Sequence, residues 1–225
     1  MRGLTVRRLK KRFARTWLWR WLGGRASRLF DERLAEALQG CDTVADVGCG
    51  AQPHLMRQHA VRRRILVEAH WQSALVLRAL DAFVLIADVA ALPLAPKSVD
   101  GVLLLQVLEH LPREGGCANL KSIEGTARKV VVITTPNGFV EQDAVGGNPY
   151  QVHRSGWKPG DLEALGYNVN GYEAWKALKR PGTSVNRSPQ FVTGQVGGMG
   201  FLSSLLWAFP SLAFQLLAVK RLRGA

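Results

Sequence analysis

The segment from Asp46 to Gly50 (sequence DVGCG) joins a short apolar run to Pro53, a residue at which a helix can begin. Glycines such as Gly48 and Gly50 let the backbone adopt positive φ and approach a ligand closely. A dinucleotide-binding turn would place a third glycine where this chain has Pro53, so a pyrophosphate ligand is disfavoured. The carboxylate of Asp46 suits a positively charged ligand instead. The turn therefore predicts a site for a cationic cofactor, with an ordinary strand-to-helix turn as the alternative.

Two further carboxylates end successive predicted strands. Glu68 follows Gly48 by twenty residues, a spacing at which a carboxylate accepts hydrogen bonds from both hydroxyls of a ribose. Asp88 follows the next strand and is placed to accept a hydrogen bond from an adenine amino group, with Val89 offering backbone contacts. The alternatives are a solvated charge for Glu68 and a helix cap for Asp88. We therefore predict an adenosine-binding edge of the sheet.

A second patch of polar and aromatic residues follows the fifth predicted strand. Loops beyond the carboxyl ends of parallel strands line the ligand crevice of such sheets, so this loop is expected to contact a substrate. His153 is the candidate base that takes the proton of a hydroxyl acceptor. Asn148, Tyr150 and Trp157 are the candidate substrate-binding residues. The alternative is that His153 and Trp157 only hold the loop in place.

The elements that must position these residues follow from alternating apolar runs and helical patterns. Strands are predicted at Thr43–Val47, Ile65–Glu68, Phe83–Ala87, Val99–Leu105 and Val130–Thr135. Helices are predicted near Leu29–Leu38, Pro53–Ala60, Gln72–Leu80, Glu114–Ala127 and Pro159–Leu165. Because strand and helix alternate, we predict an α/β protein with a doubly wound parallel sheet.

In combination these residues resemble the motifs of class I S-adenosylmethionine-dependent methyltransferases, of the type that acts on small molecules. The resemblance covers roughly residues 40–175 and is carried by Asp46, Gly48, Gly50, Glu68, Asp88, Asp100 and the run from Val107 to Leu111. It implies a Rossmann-like sheet of about seven strands with the last strand antiparallel. It also implies S-adenosylmethionine as the cofactor, with Asp46, Gly48, Cys49, Gly50, Glu68, Asp88, Val89 and Gln106 as cofactor-binding residues.

This chain departs from the resembling family at two places, and the role of one residue pair is open. Many relatives have a further glycine near Ala51 or Gln52, and Gln106 stands where an acidic or small residue is common. Gln106 is a candidate contact for the methionine end of the cofactor. Glu109 and His110 suit an acid/base pair, although in the resembling families this pair often has a structural role.

The C-terminal part contains an uncharged run, Phe201–Val219, which is long enough to span a membrane on length alone. Pro210 divides it, so we predict a helix over Phe201–Phe209 and a final strand over Phe214–Lys220. The final strand is the antiparallel one that the resemblance requires.

The N-terminal part is strongly basic. The chain has 225 residues and a net charge of +13, and residues 1–28 contain ten Lys or Arg and no Asp or Glu. Apolar residues recur at helical spacing over Arg2–Leu22, which predicts a basic amphipathic helix. With its tryptophans, residues 1–24 suit an anionic membrane surface; nucleic acid and a lid over the active site are the alternatives.

We therefore predict a basic helical extension (residues 1–40) before a methyltransferase domain (residues 41–225) with an insertion at about 180–212. The expected activity is methyl transfer to a small-molecule or lipid-linked acceptor, at oxygen. An RNA methyltransferase and a non-catalytic membrane- or nucleic-acid-binding module with a vestigial cofactor fold are the alternatives. Three cysteines without paired spacing suggest neither disulfides nor a zinc site, so we expect no metal and a cytoplasmic protein, with the inner membrane face as a candidate location.

Overall fold

Seven strands form one sheet in the computed structural model, which describes residues 28–175 and 205–222. The strands are β1 (Thr43–Val47), β2 (Arg63–Glu68), β3 (Phe83–Ile86), β4 (Val99–Leu105), β5 (Ala127–Pro136), β6 (Asn168–Trp175) and β7 (Ala213–Arg221). The α-helices are α1 (residues 28–37), α2 (Trp71–Leu77), α3 (Arg113–Thr126) and α4 (Pro159–Glu163), with a further helical turn at residues 205–208. Short 3-10 helices lie at His54–Arg57, Val89–Ala91, Leu108–His110, Pro149–Gln151 and Pro210–Leu212.

The order of strands across the sheet is β3-β2-β1-β4-β5-β7-β6. The strands β1 to β5 are parallel, and β7 runs antiparallel to both β5 and β6. This arrangement confirms the predicted doubly wound α/β fold with an antiparallel last strand. The chain order reverses between β1 and β4, and ligands of open α/β sheets bind at the carboxyl ends of the strands at that point.

Two apolar layers cover the sheet. One layer packs α3 and α4 on the sheet through residues such as Leu120, Ile123 and Leu162. The other packs α1 and α2 on the opposite face through Leu34 and Leu77. The strand β1 is therefore buried along its whole length, as expected for a parallel strand covered on both faces. The carboxyl ends of the central strands are thus held on a rigid frame.

The predicted helix over Pro53–Ala60 is wrong, because only a 3-10 turn at His54–Arg57 forms. The side-chain amide of Gln58 donates to the Asp31 carbonyl of α1, and the Val61 N–H donates to the Gln58 carbonyl. These bonds turn the chain toward β2 before a second helical turn can form.

The other bounds differ by smaller amounts. The helices α2 and α4 end two or three residues before the predicted Leu80 and Leu165, and β5 begins at Ala127, before the predicted Val130. The strand β6 was not predicted, because it is an edge strand whose asparagines and Gly171 weaken the apolar alternation. The predicted final strand is confirmed as β7.

Several predictions lie outside the described residues. These are the amphipathic helix over Arg2–Leu22, most of the insertion at about 180–212, and the start of the helix over Phe201–Phe209. In the described part of that last helix, residues 205–208 are helical and Phe209 is not. Within the described ranges, no helix has both the length and the apolar character that crossing a membrane requires.

Candidate cofactor and acceptor site

The glycine turn after β1 needs its first glycine for two reasons. Gly48 has φ +69°, and a Cβ atom there would lie 2.7 Å from Val107 Cγ2. Gly50 also has positive φ, +63°, but a Cβ atom on it would meet no atom within 4 Å. The first glycine is thus fixed by backbone conformation and by packing, whereas the second faces open space in which a ligand can lie.

Glu68, at the end of β2, is tied to this turn. Its side chain is 6% exposed, so it is not a solvated charge. Oε2 accepts a hydrogen bond from the Gly50 N–H at 2.8 Å, and Oε1 accepts one from the His70 N–H at 2.8 Å. A carboxylate has about four acceptor positions, so two backbone bonds orient it and leave capacity for the hydroxyls of a ligand.

Asp46 lies beneath the same turn and is 1% exposed. Neither of its carboxylate oxygens has a hydrogen-bond partner among the described residues. Burial raises the pKa of Asp46 to about 7, opposed by the nearby Leu55 N–H and reinforced by the charge of Glu68. The Leu55 N–H lies close enough to act on the charge, but the geometry is not that of a hydrogen bond. An unpaired buried carboxylate is unfavourable, and a cationic ligand would stabilise its ionised form.

Asp88 follows β3 and caps the 3-10 helix Val89–Ala91, because its Oδ1 accepts a hydrogen bond from the Ala90 N–H at 2.9 Å. The capping alternative is therefore confirmed, and the contact with adenine stays a prediction for this exposed side chain. Cys49, within the glycine turn, is half-buried, and burial together with the charges of Asp46 and Glu68 raises the pKa of its thiol. Its sulfur is therefore a neutral thiol rather than a nucleophilic thiolate.

Gln106, directly after β4, has φ +59°, which is rare for a residue with a side chain. Its Nε2 donates to Thr134 Oγ1 at 3.1 Å and to Gln215 Oε1 at 3.0 Å. The side chain thereby joins β4, β5 and β7 at the carboxyl edge. Such strained positions cluster at functional sites. The predicted contact with the methionine end of the cofactor stays a prediction.

A second cluster lies beyond β4 and β5 and consists of Glu109, His110 and His153; we name it the Glu–His cluster. One side-chain oxygen or nitrogen from each residue lies within 4.8 Å of those of the other two. The two imidazole rings are 4.9 Å apart, edge to face. Glu109 is 1% exposed and His153 is 8% exposed. The sequence singled out all three residues without showing that they meet.

Backbone hydrogen bonds bring the two segments of this cluster together. The Glu109 carbonyl accepts from the N–H groups of Arg154 and Ser155 at 2.8 and 3.0 Å. The His153 N–H donates to the Gln142 carbonyl at 3.0 Å. The loop after β5 is therefore fastened to the 3-10 helix after β4, which places His153 over Glu109.

The electrostatics of the cluster are unusual. Neither carboxylate oxygen of Glu109 has a hydrogen-bond partner in the part of the chain that the structure describes, and the same holds for Thr135 Oγ1. Burial raises the pKa of Glu109 to about 8, opposed by its own backbone and by the nearby Thr135 hydroxyl. Burial lowers the pKa of His110 to about 4, opposed by the Val152 and Gln106 carbonyls. The cluster therefore favours neutral groups when it holds no ligand.

Trp157 is fully buried, which corrects its assignment as a substrate-binding residue. Its Nε1 donates to Ser155 Oγ at 2.9 Å, and the Arg113 guanidinium lies 4.1 Å from the ring. A Cβ atom on Gly116 of α3 would lie 2.9 Å from the indole, so α3 packs closely on it. The indole therefore holds the loop in place, as the alternative interpretation proposed.

The other two candidates for the acceptor lie at the surface. Asn148 caps the 3-10 helix Pro149–Gln151, because its Oδ1 accepts a hydrogen bond from the Tyr150 N–H at 3.0 Å. Tyr150 is 46% exposed. Their contacts with a substrate stay predictions.

Comparison with known proteins adds evidence on the fold. No family model matches the chain, and no curated protein matches it. A SAM-dependent methyltransferase from Archaeoglobus fulgidus is similar, with 18% identity, coverage of 87% of this chain and 94% of that chain, and a TM-score of 0.56. The small RNA methyltransferase HEN1 is also similar, with 14% identity, coverage of 89% and 26%, and a TM-score of 0.55. The [4+2]-cyclase SpnF has 16% identity, coverage of 88% and 81%, and a TM-score of 0.54.

These likenesses show that the chain has the fold of class I S-adenosylmethionine-dependent methyltransferases, as the sequence motifs predicted. The proteins that share the fold differ in what they act on, since they include an RNA methyltransferase and a cyclase. Function must therefore be argued from the side chains of the site.

Proposed function

We propose that this protein is an S-adenosylmethionine-dependent methyltransferase that methylates an oxygen of a small-molecule or lipid-linked acceptor. The observation that carries the proposal is the buried carboxylate of Asp46, which has no hydrogen-bond partner among the residues that the structure describes and lies beneath a glycine turn that Glu68 holds. Both residues lie at carboxyl ends of strands next to the reversal of strand order, where ligands of such sheets bind.

The residues present fit this cofactor. S-adenosylmethionine carries a sulfonium and an ammonium group, and a nearby cation favours the ionised form of Asp46. Glu68 has acceptor capacity for the ribose hydroxyls, and Gly50 leaves open space in front of the turn. When bound, the cofactor supplies a methyl carbon that its sulfonium activates. The protein then has to bind the acceptor, align it and remove its proton.

The Glu–His cluster supports transfer to oxygen, because a hydroxyl acceptor needs a base. His153 is the proposed base: its Nδ1 lies 2.6 Å from the Val140 carbonyl and donates to it, so the basic lone pair is on Nε2. In this role Nε2 would take the proton of the acceptor hydroxyl, while the acceptor oxygen would bond to the methyl carbon and the carbon–sulfur bond would break with its electrons on sulfur. The products are the methyl ether and neutral S-adenosylhomocysteine.

One further part of the proposal rests on the sequence. Residues 1–24 combine arginines with tryptophans, which supports a lipid-linked acceptor at the inner face of a membrane. RNA is the alternative acceptor, supported by the shared fold of the small RNA methyltransferase HEN1. Flotation with anionic liposomes, comparing the full chain with a chain lacking residues 1–24, tests the membrane part. Equal flotation of the two proteins would contradict it.

Calorimetric titration with S-adenosylmethionine tests the cofactor. We expect the wild type to bind, and Glu68→Gln to bind roughly 10- to 100-fold more weakly, because hydrogen bonds to charged groups contribute about 1.5–3 kcal/mol. Glu141→Gln, an exposed carboxylate in the loop after β5, is the matched control and should bind like the wild type. Absence of binding by the wild type would instead favour a non-catalytic module with a vestigial cofactor fold.

The acceptor is tested with S-adenosylmethionine that carries a radiolabelled methyl group. The protein is incubated separately with lipid, small-molecule and RNA fractions, and the label in each is counted. Labelling of a lipid or small-molecule fraction in alkali-stable ether linkage supports the proposal. Labelling of RNA alone would replace it with the alternative.

A further inference from the structure

The carboxylate of Glu109 is the starting observation. It is 1% exposed, and no described donor satisfies either oxygen. The neighbouring Thr135 hydroxyl is also buried and has no hydrogen-bond partner within residues 28–175 and 205–222. Buried polar groups nearly always have a partner, and an exception requires an explanation, of which a bound ion is one. A partner that stabilises the ionised form of this carboxylate has to be a donor or a cation, because the ionised form only accepts.

The two histidines are oriented by backbone carbonyls. His110 Nδ1 lies 3.2 Å from the Val152 carbonyl, and His153 Nδ1 lies 2.6 Å from the Val140 carbonyl. Since a carbonyl only accepts, each Nδ1 carries the hydrogen and each Nε2 carries the lone pair. Histidines that bind metals are commonly held this way, with the second ring nitrogen donating to a carbonyl or carboxylate.

The three groups converge on one point. One potential ligand atom from each side chain lies within 4.8 Å of those of the other two. A tetrahedral ion with bonds of about 2.1 Å holds its ligand atoms about 3.4 Å apart. Side-chain rotations that move each ligand atom by roughly 1 Å would therefore bring the three groups to the spacing of a tetrahedral ion.

We propose that Glu109, His110 and His153 form a site for one divalent transition-metal ion, bound by the Glu109 carboxylate and the Nε2 atoms of the two histidines. Two imidazoles and one carboxylate favour Mn²⁺, Fe²⁺, Co²⁺ or Zn²⁺ over Ca²⁺ and Mg²⁺, which prefer oxygen ligands. No metal was predicted from the spacing of the cysteines, and this site contains no cysteine.

The scaffold of the site is already fixed. Glu109 and His110 share the 3-10 helix Leu108–His110, and the loop that carries His153 is fastened to it by the Arg154 and Ser155 N–H groups. The side-chain amide of Gln142 donates to the Gln151 carbonyl at 2.7 Å, which closes the same loop on itself. Ligands from two separate segments are thus held before a metal arrives, so little ordering is required on binding.

The metal's role in the reaction rests on the proposed methyl transfer, whereas its binding does not. Three protein ligands leave positions open for an acceptor hydroxyl, and a bound divalent cation lowers the pKa of that hydroxyl. The acceptor hydroxyl would release its proton to solvent, its oxygen would bond to the methyl carbon, and the carbon–sulfur bond would break with its electrons on sulfur. His153 then acts as a ligand, which replaces its role as the base.

The test uses tag-free, full-length protein treated with a chelator and then titrated with Co²⁺. We expect one Co²⁺ per chain and visible absorption bands of nitrogen-ligated cobalt, with tighter binding of Co²⁺ than of Mg²⁺. Glu109→Gln and His153→Ala should each weaken Co²⁺ binding by at least tenfold. Glu141→Gln and His59→Asn, which change an exposed carboxylate and an exposed imidazole, are the matched controls and should leave binding unchanged.

Each variant is also titrated with S-adenosylhomocysteine and unfolded with urea, so that loss of the fold is distinguished from loss of the site. The proposal is overturned if the wild type binds no Co²⁺ stoichiometrically, or if Glu109→Gln binds it as the wild type does. Metal binding without methyl transfer would sink only the proposed function. Methyl transfer that persists in chelator would overturn the catalytic role of the metal and return His153 to the role of base.

Discussion

Two regions of this protein bury a carboxylate that lacks a hydrogen-bond partner among the described residues. Asp46 lies beneath the glycine turn, near a second carboxylate, Glu68. Glu109 lies beside the imidazoles of His110 and His153. A pair of acids attracts a cationic ligand. An acid with two imidazoles instead offers the nitrogen and oxygen ligands of a transition-metal ion, or a base that can accept a proton. The same unfavourable feature thus has two different uses, and the neighbours decide which.

The two regions also differ in how they are built. The turn and Glu68 come from consecutive elements, β1 and β2, whose pairing is parallel and local in sequence. The Glu–His cluster joins the end of β4 to a loop more than forty residues later, through bonds such as that from the Arg154 N–H to the Glu109 carbonyl. The first region should therefore tolerate damage to the loop, and the second should not.

The largest expected effect is that of Trp157→Ala. Removing a fully buried indole should lower the free energy of unfolding by about 3–5 kcal/mol, through lost burial and the cavity left behind. Urea unfolding measures this change, and Trp157→Phe, which keeps a ring, should cost less. At urea concentrations below the unfolding transition, we expect cofactor affinity to be kept and Co²⁺ binding by the Glu–His cluster to be lost. Unchanged stability would show that the indole is not a packing element.

The next effect compares the two glycines of the turn. Gly48→Ala introduces both positive φ and a contact of 2.7 Å with Val107, and should destabilise the protein by about 2–4 kcal/mol and abolish measurable cofactor binding. Gly50→Ala has positive φ without a clash, and should cost about 1–2 kcal/mol. Urea unfolding and calorimetry measure both variants. Equal losses would mean that packing against Val107 contributes nothing.

A smaller effect is the pH dependence that Asp46 gives to cofactor affinity. Its pKa is raised from 3.8 to about 7, so it is largely protonated below neutral pH without ligand. If the cationic cofactor needs the ionised form, affinity falls up to about tenfold for each pH unit below 7. Calorimetry between pH 5.5 and 8 measures this slope, and Asp46→Asn should bind weakly with a flatter profile. A wild-type affinity that is constant over this range would contradict the role.

The same pKa has a consequence for stability without cofactor. The folded protein holds the proton of Asp46 more tightly than the unfolded chain does, so this stabilising contribution is complete below pH 3.8. It is lost as pH rises from 3.8 to about 7 and stays lost above that value. Asp46→Asn should remove this pH dependence of the free energy of unfolding. Urea unfolding of the wild type and the variant between pH 3.8 and 7 measures the difference.

The smallest effect is expected for Tyr150→Ala. The side chain is 46% exposed, so the free energy of unfolding should change by no more than about 0.5 kcal/mol, and cofactor affinity should be unchanged. If Tyr150 contacts the acceptor, KM for the acceptor rises while cofactor binding is constant. A fall in cofactor affinity would instead place Tyr150 in the first region.

The sequence allowed most of the first region to be predicted. Positive φ at Gly48 and Gly50 and a carboxylate at the end of β2 follow from residue type and local spacing. The antiparallel last strand was implied by the resemblance to class I methyltransferases, and the structure confirms it. The helix after Pro53 was wrong, because a side-chain bond from Gln58 to Asp31 ends it, and such a bond has no local signal. The edge strand β6 was missed for a related reason, since pairing with β7 forms it despite a weak apolar pattern.

The sequence by itself therefore determined the alternation of strands and helices from β1 to β5, the final apolar strand and the positions of Asp46 and Glu68 near the carboxyl ends of β1 and β2, because these depend on interactions between near neighbours and on apolar periodicity. Only the tertiary structure decided that Trp157 is core, that Glu109 has no hydrogen-bond partner among the described residues and that His110 and His153 meet beside it. Those facts depend on which distant segments pack together, and burial and pKa follow from that packing.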